Sequence, residues 1–277
     1  SYTVKDGLVA NRVKTMYNDQ KGRLWLGTSH GVSVFNGRSF NNIPVNENFP
    51  GTVQQIAEMK NGSVYALVNL QLFRINGSYT EKISLSGDSA EIVTALYQCR
   101  NGDLLVYVYK KGIYRLDGNK TALHKKFAND ERFTVLHFFI TSGNDTLLSM
   151  NSGLFRLNAG ALSEFGPRSK GRENIQVFCL GEDLRNNLWL GTDKGAYQLA
   201  DGKWQHFNEK SGFTDNSVNH IFRDAENNLW FATNADGIFK FSENVFTYYD
   251  KSSGLTNPVI MGIAQANNAS IHAAGYG

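Results

Sequence analysis

Gly22-Arg23-Leu24-Trp25-Leu26-Gly27-Thr28 returns as Asn187-Leu188-Trp189-Leu190-Gly191-Thr192 and again as Asn228-Leu229-Trp230-Phe231-Ala232-Thr233. Weaker copies stand between and after them: Gly62-Ser63-Val64-Tyr65, Gly102-Asp103-Leu104-Leu105, Asp145-Thr146-Leu147 and Asn268-Ala269-Ser270-Ile271. Aligned on the tryptophan, the repeat falls at 25, 65, 105, 147, 189, 230 and 271, with spacings of 40, 40, 42, 42, 41 and 41 residues. A period near forty built from short strands is the signature of a β-propeller, one four-stranded sheet per period. The spacing predicts an all-β, seven-bladed β-propeller of four-stranded antiparallel blades, with the last blade incomplete.

The units read alike. A first strand opens with a β-branched residue twelve before the tryptophan position, at Val13, Val53, Val93, Val135, Val177, Val218 and Val259. A turn follows, carrying Asp19, Asp183 or Asp224 and then a glycine or asparagine, residue types that supply turn hydrogen bonds and left-handed backbone. The second strand holds the tryptophan and ends in a hairpin around Gly31, Gly112, Gly153, Gly195 or Gly237. Two further strands and a link such as Asp6-Gly7-Leu8 or Ser211-Gly212-Phe213 complete the period. Blades are expected roughly at 8–49, 50–88, 89–130, 131–170, 171–210, 211–252 and 253–277. They form one domain, because each unit buries its faces only against its neighbours. The chain opens at the end of a fourth strand and stops at Gly277, a hairpin position, which reads as a fragment of a longer protein.

Composition narrows the function. Charged residues make up 19% of the chain and aromatic residues 12%, with 27 glycines, a balance that suits short strands and tight turns. A net charge of +3, with Lys110-Lys111 and Lys125-Lys126 as isolated pairs, argues against nucleic acid, which demands a clustered basic surface. No apolar run reaches the roughly 20 residues of a membrane helix, so no membrane contact is expected of this segment. Cys99 and Cys179 sit at different repeat positions in non-adjacent units and are expected to be free thiols.

Three recurring residue sets invite functional readings, and each has a structural one. Trp25, Trp189 and Trp230 sit mid-strand, two residues from Gly or Ala, and read as blade-to-blade packing rather than a sugar-stacking surface. Asp19, Asp183 and Asp224 read as turn caps, since no hairpin carries the oxygen cage that calcium needs. His137 and His220 share one repeat position, but the matching Thr15, Gln55, Ala95, Cys179 and Met261 complete no ligand set, so no metal or cofactor is expected.

Two loop sets remain. Links entering the first strands carry Asn11, Arg12, Glu91, Asn174, Asn216 and Asn257. Hairpins after the second strands carry Ser29-His30, Asn69, Tyr109-Lys110, Asn151, Asp193-Lys194 and Asn234 to Asp236. Polar residues that differ between units on a repeated rigid frame describe a binding face. The candidate ligand-binding residues are therefore Arg12, His30, Asn69, Tyr109, Lys110, Asn151, Asp193, Lys194, Asn234 and Asp236, expected at the mouth of the propeller. No catalytic residue is assigned.

The string Asp6-Gly7-Leu8, Asn11-Arg12-Val13, Asp19, Gly22 to Thr28 and Gly31-Val32 resembles the two-component regulator propeller repeat, and Gly212 to Gly237 and Lys170 to Gly195 match it nearly as well. The resemblance implies the periplasmic sensor region of a membrane-bound bacterial regulator, often a hybrid histidine kinase controlling glycan uptake. It further implies a second propeller and downstream domains in the same chain, and a homodimer. The reading is a non-enzymatic sensor of an oligosaccharide or other small polar ligand. The rivals are a protein-docking scaffold and a propeller lyase or glycan-cleaving enzyme.

Overall fold

The structure, a computed structural model, describes residues 1–44, 51–88, 90–117, 120–126, 134–167, 175–213, 217–266 and 269–276. Lys170, Asn174, Asn216, Asn268 and Gly277, all used in the sequence reading, lie outside them. The chain divides into two compact units, Ser1–Phe138 and Phe139–Tyr276.

In the first unit, blade one comprises β1 (Val13–Asn18), β2 (Leu24–Thr28), β3 (Gly31–Phe35) and β4 (Phe40–Pro44). Blade two comprises β5 (Val53–Glu58), β6 (Val64–Val68), β7 (Gln71–Asn76) and β8 (Tyr79–Ile83). Blade three comprises β9 (Val93–Gln98), β10 (Leu104–Val108), β11 (Gly112–Asp117) and β12 (Lys120–Lys125). Blade four opens with β13 (Val135–Ile140) and continues with β14 (Thr146–Met150), β15 (Gly153–Asn158) and β16 (Ala161–Glu164). In the second unit, blade five holds β17 (Val177–Glu182), β18 (Leu188–Thr192), β19 (Gly195–Ala200) and β20 (Lys203–Phe207). Blade six holds β21 (Val218–Arg223), β22 (Leu229–Thr233), β23 (Ile238–Ser242) and β24 (Val245–Tyr249), and β25 (Ile260–Gln265) pairs with β26 (Ile271–Gly275).

All are antiparallel meanders, the blades of a β-propeller. There are six four-stranded blades, not the expected seven, because the seventh period contributes only the two-stranded sheet β25–β26 among the described residues. That period also needs a one-residue correction. Ile260 pairs with Gly275 and Ala264 with His272, as Val218 pairs with Thr233 and Phe222 with Trp230. The first-strand, metal-set and tryptophan positions are therefore Ile260, Gly262 and His272, not Val259, Met261 and Ile271. A slip of one residue exchanges the two faces of a strand.

Every residue of β2, β6, β10, β14, β18 and β22 is buried, since each second strand is covered on both faces. Trp25 packs with Val53, Ile56, Val64 and Phe73 of blade two, and Trp189 with Val218, Phe231 and Phe239 of blade six. Gly27 makes the first of these approaches possible: a Cβ there would lie 2.5 Å from Thr15 Cγ2 and 2.7 Å from Val53 Cγ1.

Burying an indole also buries its N–H, and the turn aspartate satisfies it. Trp25 Nε1 donates to Asp19 Oδ2 at 2.8 Å, Trp189 Nε1 to Asp183 Oδ2 at 3.1 Å and Trp230 Nε1 to Asp224 Oδ2 at 2.7 Å. The same carboxylates accept turn amides four residues on, Arg23 N at 2.8 Å, Asn187 N at 2.9 Å and Asn228 N at 2.7 Å. A second recurring bond ties a first strand to the blade before it at three places. Glu58 Oε2 accepts Gln20 N at 2.8 Å, Glu182 Oε1 accepts Ser142 N at 2.8 Å, and Gln265 Oε1 accepts Ala225 N at 2.7 Å. In each pair the acceptor ends a first strand and the donor sits in the preceding blade's first turn.

Burial alone would raise the Asp224 pKa, but donation from Trp230 and Asn228 outweighs it and holds the carboxyl below its ordinary value. A depressed folded pKa contributes stability above the ordinary carboxylate range, lost as pH falls through the folded value. Asp224→Asn presents an amide N–H₂ where donors converge. It is expected to destabilise the fold by about 2–3 kcal/mol at neutral pH and to remove part of its acid sensitivity, read from urea midpoints across pH.

Candidate functional site

The loops singled out by sequence meet in pairs, link against hairpin within one blade. Ser29 N donates to Arg12 O at 3.2 Å, Tyr109 N to Ile92 O at 2.8 Å, Asp193 N to Gln176 O at 3.1 Å and Asn234 N to Ser217 O at 3.2 Å. In blade two the bond runs through a side chain, with Asn69 N donating to Gln54 Oε1 at 3.0 Å. Arg12, His30, Asn69, Tyr109 and Lys110 thus lie at the hairpin ends of the first unit's blades. Asn151, Asp193, Lys194, Asn234 and Asp236 occupy the same ends in the second unit. Arg12, His30, Asn69, Lys110, Asn151 and Asn234 are exposed, while Tyr109, Asp193, Lys194 and Asp236 are half-buried.

A fully buried threonine shapes three of these hairpins. Thr28, Thr192 and Thr233 donate their hydroxyls to Gly31 O, Gly195 O and Gly237 O at 2.9, 2.8 and 3.0 Å. They accept His30 N, Lys194 N and Asp236 N at 3.0, 3.0 and 3.2 Å. Where Val68 replaces threonine, the turn closes through left-handed Asn69 and Leu70, φ 46° and 62°. Asn69 therefore shapes its turn, and Asp193 caps Gln176 N at 2.9 Å. The outward groups of this set are His30, hydrogen-bonded to Ser29 Oγ at 2.8 Å, and Tyr109, with Lys110 Nζ 5.5 Å from its ring.

One neighbour escaped the sequence reading. His206 on β20 stacks on Tyr197 at 4.1 Å and 5°, and its Nε2 meets Lys194 O at 2.5 Å. The signal available was its cross-strand register with Tyr197. In each unit the hairpin ends present polar side chains suited to hydrogen-bonding a polar ligand.

The shared histidine position serves the frame. Leu96 N donates to Gln55 Oε1 at 2.7 Å, so Gln55 Nε2 is the donor toward His137 Nδ1 at 3.2 Å, and His137 is the neutral Nε2–H tautomer. His220 Nδ1 likewise accepts Ile263 N at 3.2 Å. Among the described residues no three His, Cys, Asp or Glu are grouped to hold a metal ion.

Residues 7–30 and 212–235 match the two component regulator propeller family. Both stretches carry the two-component regulator propeller repeat. Each matched stretch runs from the link glycine, Gly7 or Gly212, through the tryptophan strand into the hairpin. No curated protein matches the sequence. Among solved structures, the extracellular domain of a hybrid two component system from B. thetaiotaomicron superposes with a TM-score of 0.81 at 19% identity, over 100% of this chain and 40% of that one. A second such domain from B. thetaiotaomicron gives 0.76 at 20% identity, over 96% and 37%. Virginiamycin B lyase from Staphylococcus aureus gives 0.74 at 15% identity, over 96% and 92%. This chain therefore spans about two fifths of the extracellular domains it resembles, and the shared feature is the propeller fold.

His137 on β13 makes the stability of the fold depend on pH. Burial holds its pKa well below the imidazole value of 6.5, at about 4. The unfolded chain takes up the proton first, so stability falls as pH drops from 6.5 toward 4 and this contribution levels off below. His137→Gln keeps a neutral partner for Gln55 and is expected to recover about 3 kcal/mol of the loss across that window, measured by urea unfolding at each pH.

Proposed function

We propose that this chain is a ligand-sensing propeller from the extracytoplasmic part of a bacterial two-component regulator, and that its hairpin ends receive an oligosaccharide. The observation that carries the reading is the regulator-propeller repeat at residues 7–30 and 212–235, within a chain that superposes along its whole length on such an extracellular domain. A periplasmic location, a histidine kinase output, a second propeller with downstream domains and a homodimer belong to the same proposal. So does the mode of action. Binding must favour one arrangement of the downstream domains, because a ligand indifferent to both states shifts neither.

The chemistry of the hairpin ends supports a sugar. In the second unit Asn151 and Asn234 carry side-chain amides that can donate to and accept from hydroxyls, and in the first unit Tyr109 offers a ring face. A panel of plant- and host-derived oligosaccharides, screened by thermal unfolding, tests this. One selective ligand at 100 times its Kd is expected to add about 2.7 kcal/mol, a shift of about 5 °C or more, and Asn151→Ala with Asn234→Ala, both in the second unit, is expected to reduce it. Silence across the panel would overturn ligand binding by this chain and favour a docking scaffold.

Coverage favours a second reading, since the lyase matches over 92% of its own length. That protein was crystallised with quinupristin. Mass spectrometry of quinupristin incubated with the purified chain is expected to show no conversion, and turnover would replace the sensor reading with an enzymatic one.

A further inference from the structure

At the other end of blade one from its hairpin, a cleft of about 270 Å³ opens against blade two. Trp25, Val34 and Asn41 form one wall, in register across β2, β3 and β4. Val64 and Ile75, paired across β6 and β7, form the other, and the turn Asn76-Gly77 closes it. Lys21 and Arg23 stand on the rim.

The charge on this rim is unusual within the repeat. The residues that correspond to Lys21 and Arg23 in blades two to six are Asn61 and Ser63, Asn101 and Asp103, Gly143 and Asp145, Arg185 and Asn187, and Glu226 and Asn228. Blade one alone places two cations there. Arg23 binds Asp19 through Nε at 2.6 Å, leaving its Nη atoms as further donors, and its guanidinium carbon lies 5.3 Å from the Trp25 ring. Asp19 faces inward, its side chain 0% exposed and committed to the turn and the indole. Lys21 has no ion-pair partner, and the exposed side chains of Asn41 and Asn76 make no hydrogen bond, among the described residues.

We propose that this cleft binds a carboxylate-bearing sugar of about one ring, a hexuronate. Its volume falls just below the usual range of ligand pockets, which begins near 300 Å³, so it holds a single ring. The carboxylate meets Lys21 and the Nη donors of Arg23, a geometry suited to two-point recognition. The Asn41 and Asn76 amides serve the ring hydroxyls, and the narrow exposed edges of Trp25 and Val34 form the floor beneath the ring. The site is independent of the hairpin ends and rests on charge rather than on the sensor reading.

Amide NMR spectra of the whole chain, titrated with sodium glucuronate, glucose and sodium acetate at matched ionic strength, test it. Glucuronate is expected to shift the amides of residues 21–25, 41 and 76–77, with an affinity that falls as salt is raised. Lys21→Gln and Asn41→Asp, both at exposed positions, are expected to weaken binding about tenfold while leaving the unfolding midpoint unchanged. No shifts with glucuronate, equal affinity for glucose, or equal affinity for acetate would each overturn the proposal. Shifts confined to the hairpin ends of one unit, at Tyr109 or at Lys194 and Asn234, would place the sugar there, supporting the sensor reading and overturning this one.

Discussion

A buried carboxylate beneath the first turn makes the tryptophan strand possible. An indole at 0–9% exposure, as at Trp189, Trp25 and Trp230, needs a partner for its N–H, and a buried donor left unpaired costs about 1–3 kcal/mol. Asp19, Asp183 and Asp224 supply that partner while closing the turn that starts the strand. The two residues behave as a couple. Where the tryptophan is replaced, at Tyr65, Leu105 and Leu147, the aspartate position holds Met59, Cys99 and Thr141. The third strand then carries an arginine opposite, Arg74, Arg115 and Arg156, paired with Glu81, Asp103 and Asp145. Ion pairs on the blade edge stand in for the indole and its carboxylate.

Stacking the blades depends on equally local terms. Gly27 and Gly191 let Val53 and Val218 of the following blades approach the second strand, and the apolar clusters form across those contacts. Glu58, Glu182 and Gln265 then fix each first strand to the turn of the blade before it. Arg223 reaches the same place by other chemistry, donating from Nη1 to Asp183 O at 3.2 Å. A repeat fold is stabilised by nearest-neighbour terms, so a device repeated at three interfaces adds to the rigidity of each unit.

The period was legible because tryptophan, glycine and turn residues mark it three times over. The last period was misread by one residue for an equally specific reason. Val259 and Ile260 are both β-branched, no tryptophan marks the register, and His272 stands in its place. The register shift near the start of β1, β5, β9, β17, β21 and β25 leaves no mark in composition either. At the hairpin ends, polarity was legible but division of labour was not. Asn69, Asp193 and the threonines do backbone work that only the geometry of each turn reveals. The cleft at Lys21 and Arg23 escaped notice because its walls come from residues far apart in sequence.

That division of labour bears on sensing. In blades two and five the hairpin tip is bonded to the start of its own first strand, and that strand ends at a glutamate that grips the preceding blade's turn. Contact is therefore continuous from a hairpin end to the opposite end of the neighbouring blade within each unit. Continuity alone transmits nothing. A rigid blade moves as a body or not at all, and a signal needs an element with two arrangements that a ligand can tell apart. Within a blade, Thr192, Gly195 and the Asp183 couple hold both ends fixed, which leaves no slack for a graded distortion. On the proposed function, a ligand at the hairpin ends would act by rewarding one placement of neighbouring bodies over another, rather than by bending the sheet beneath it.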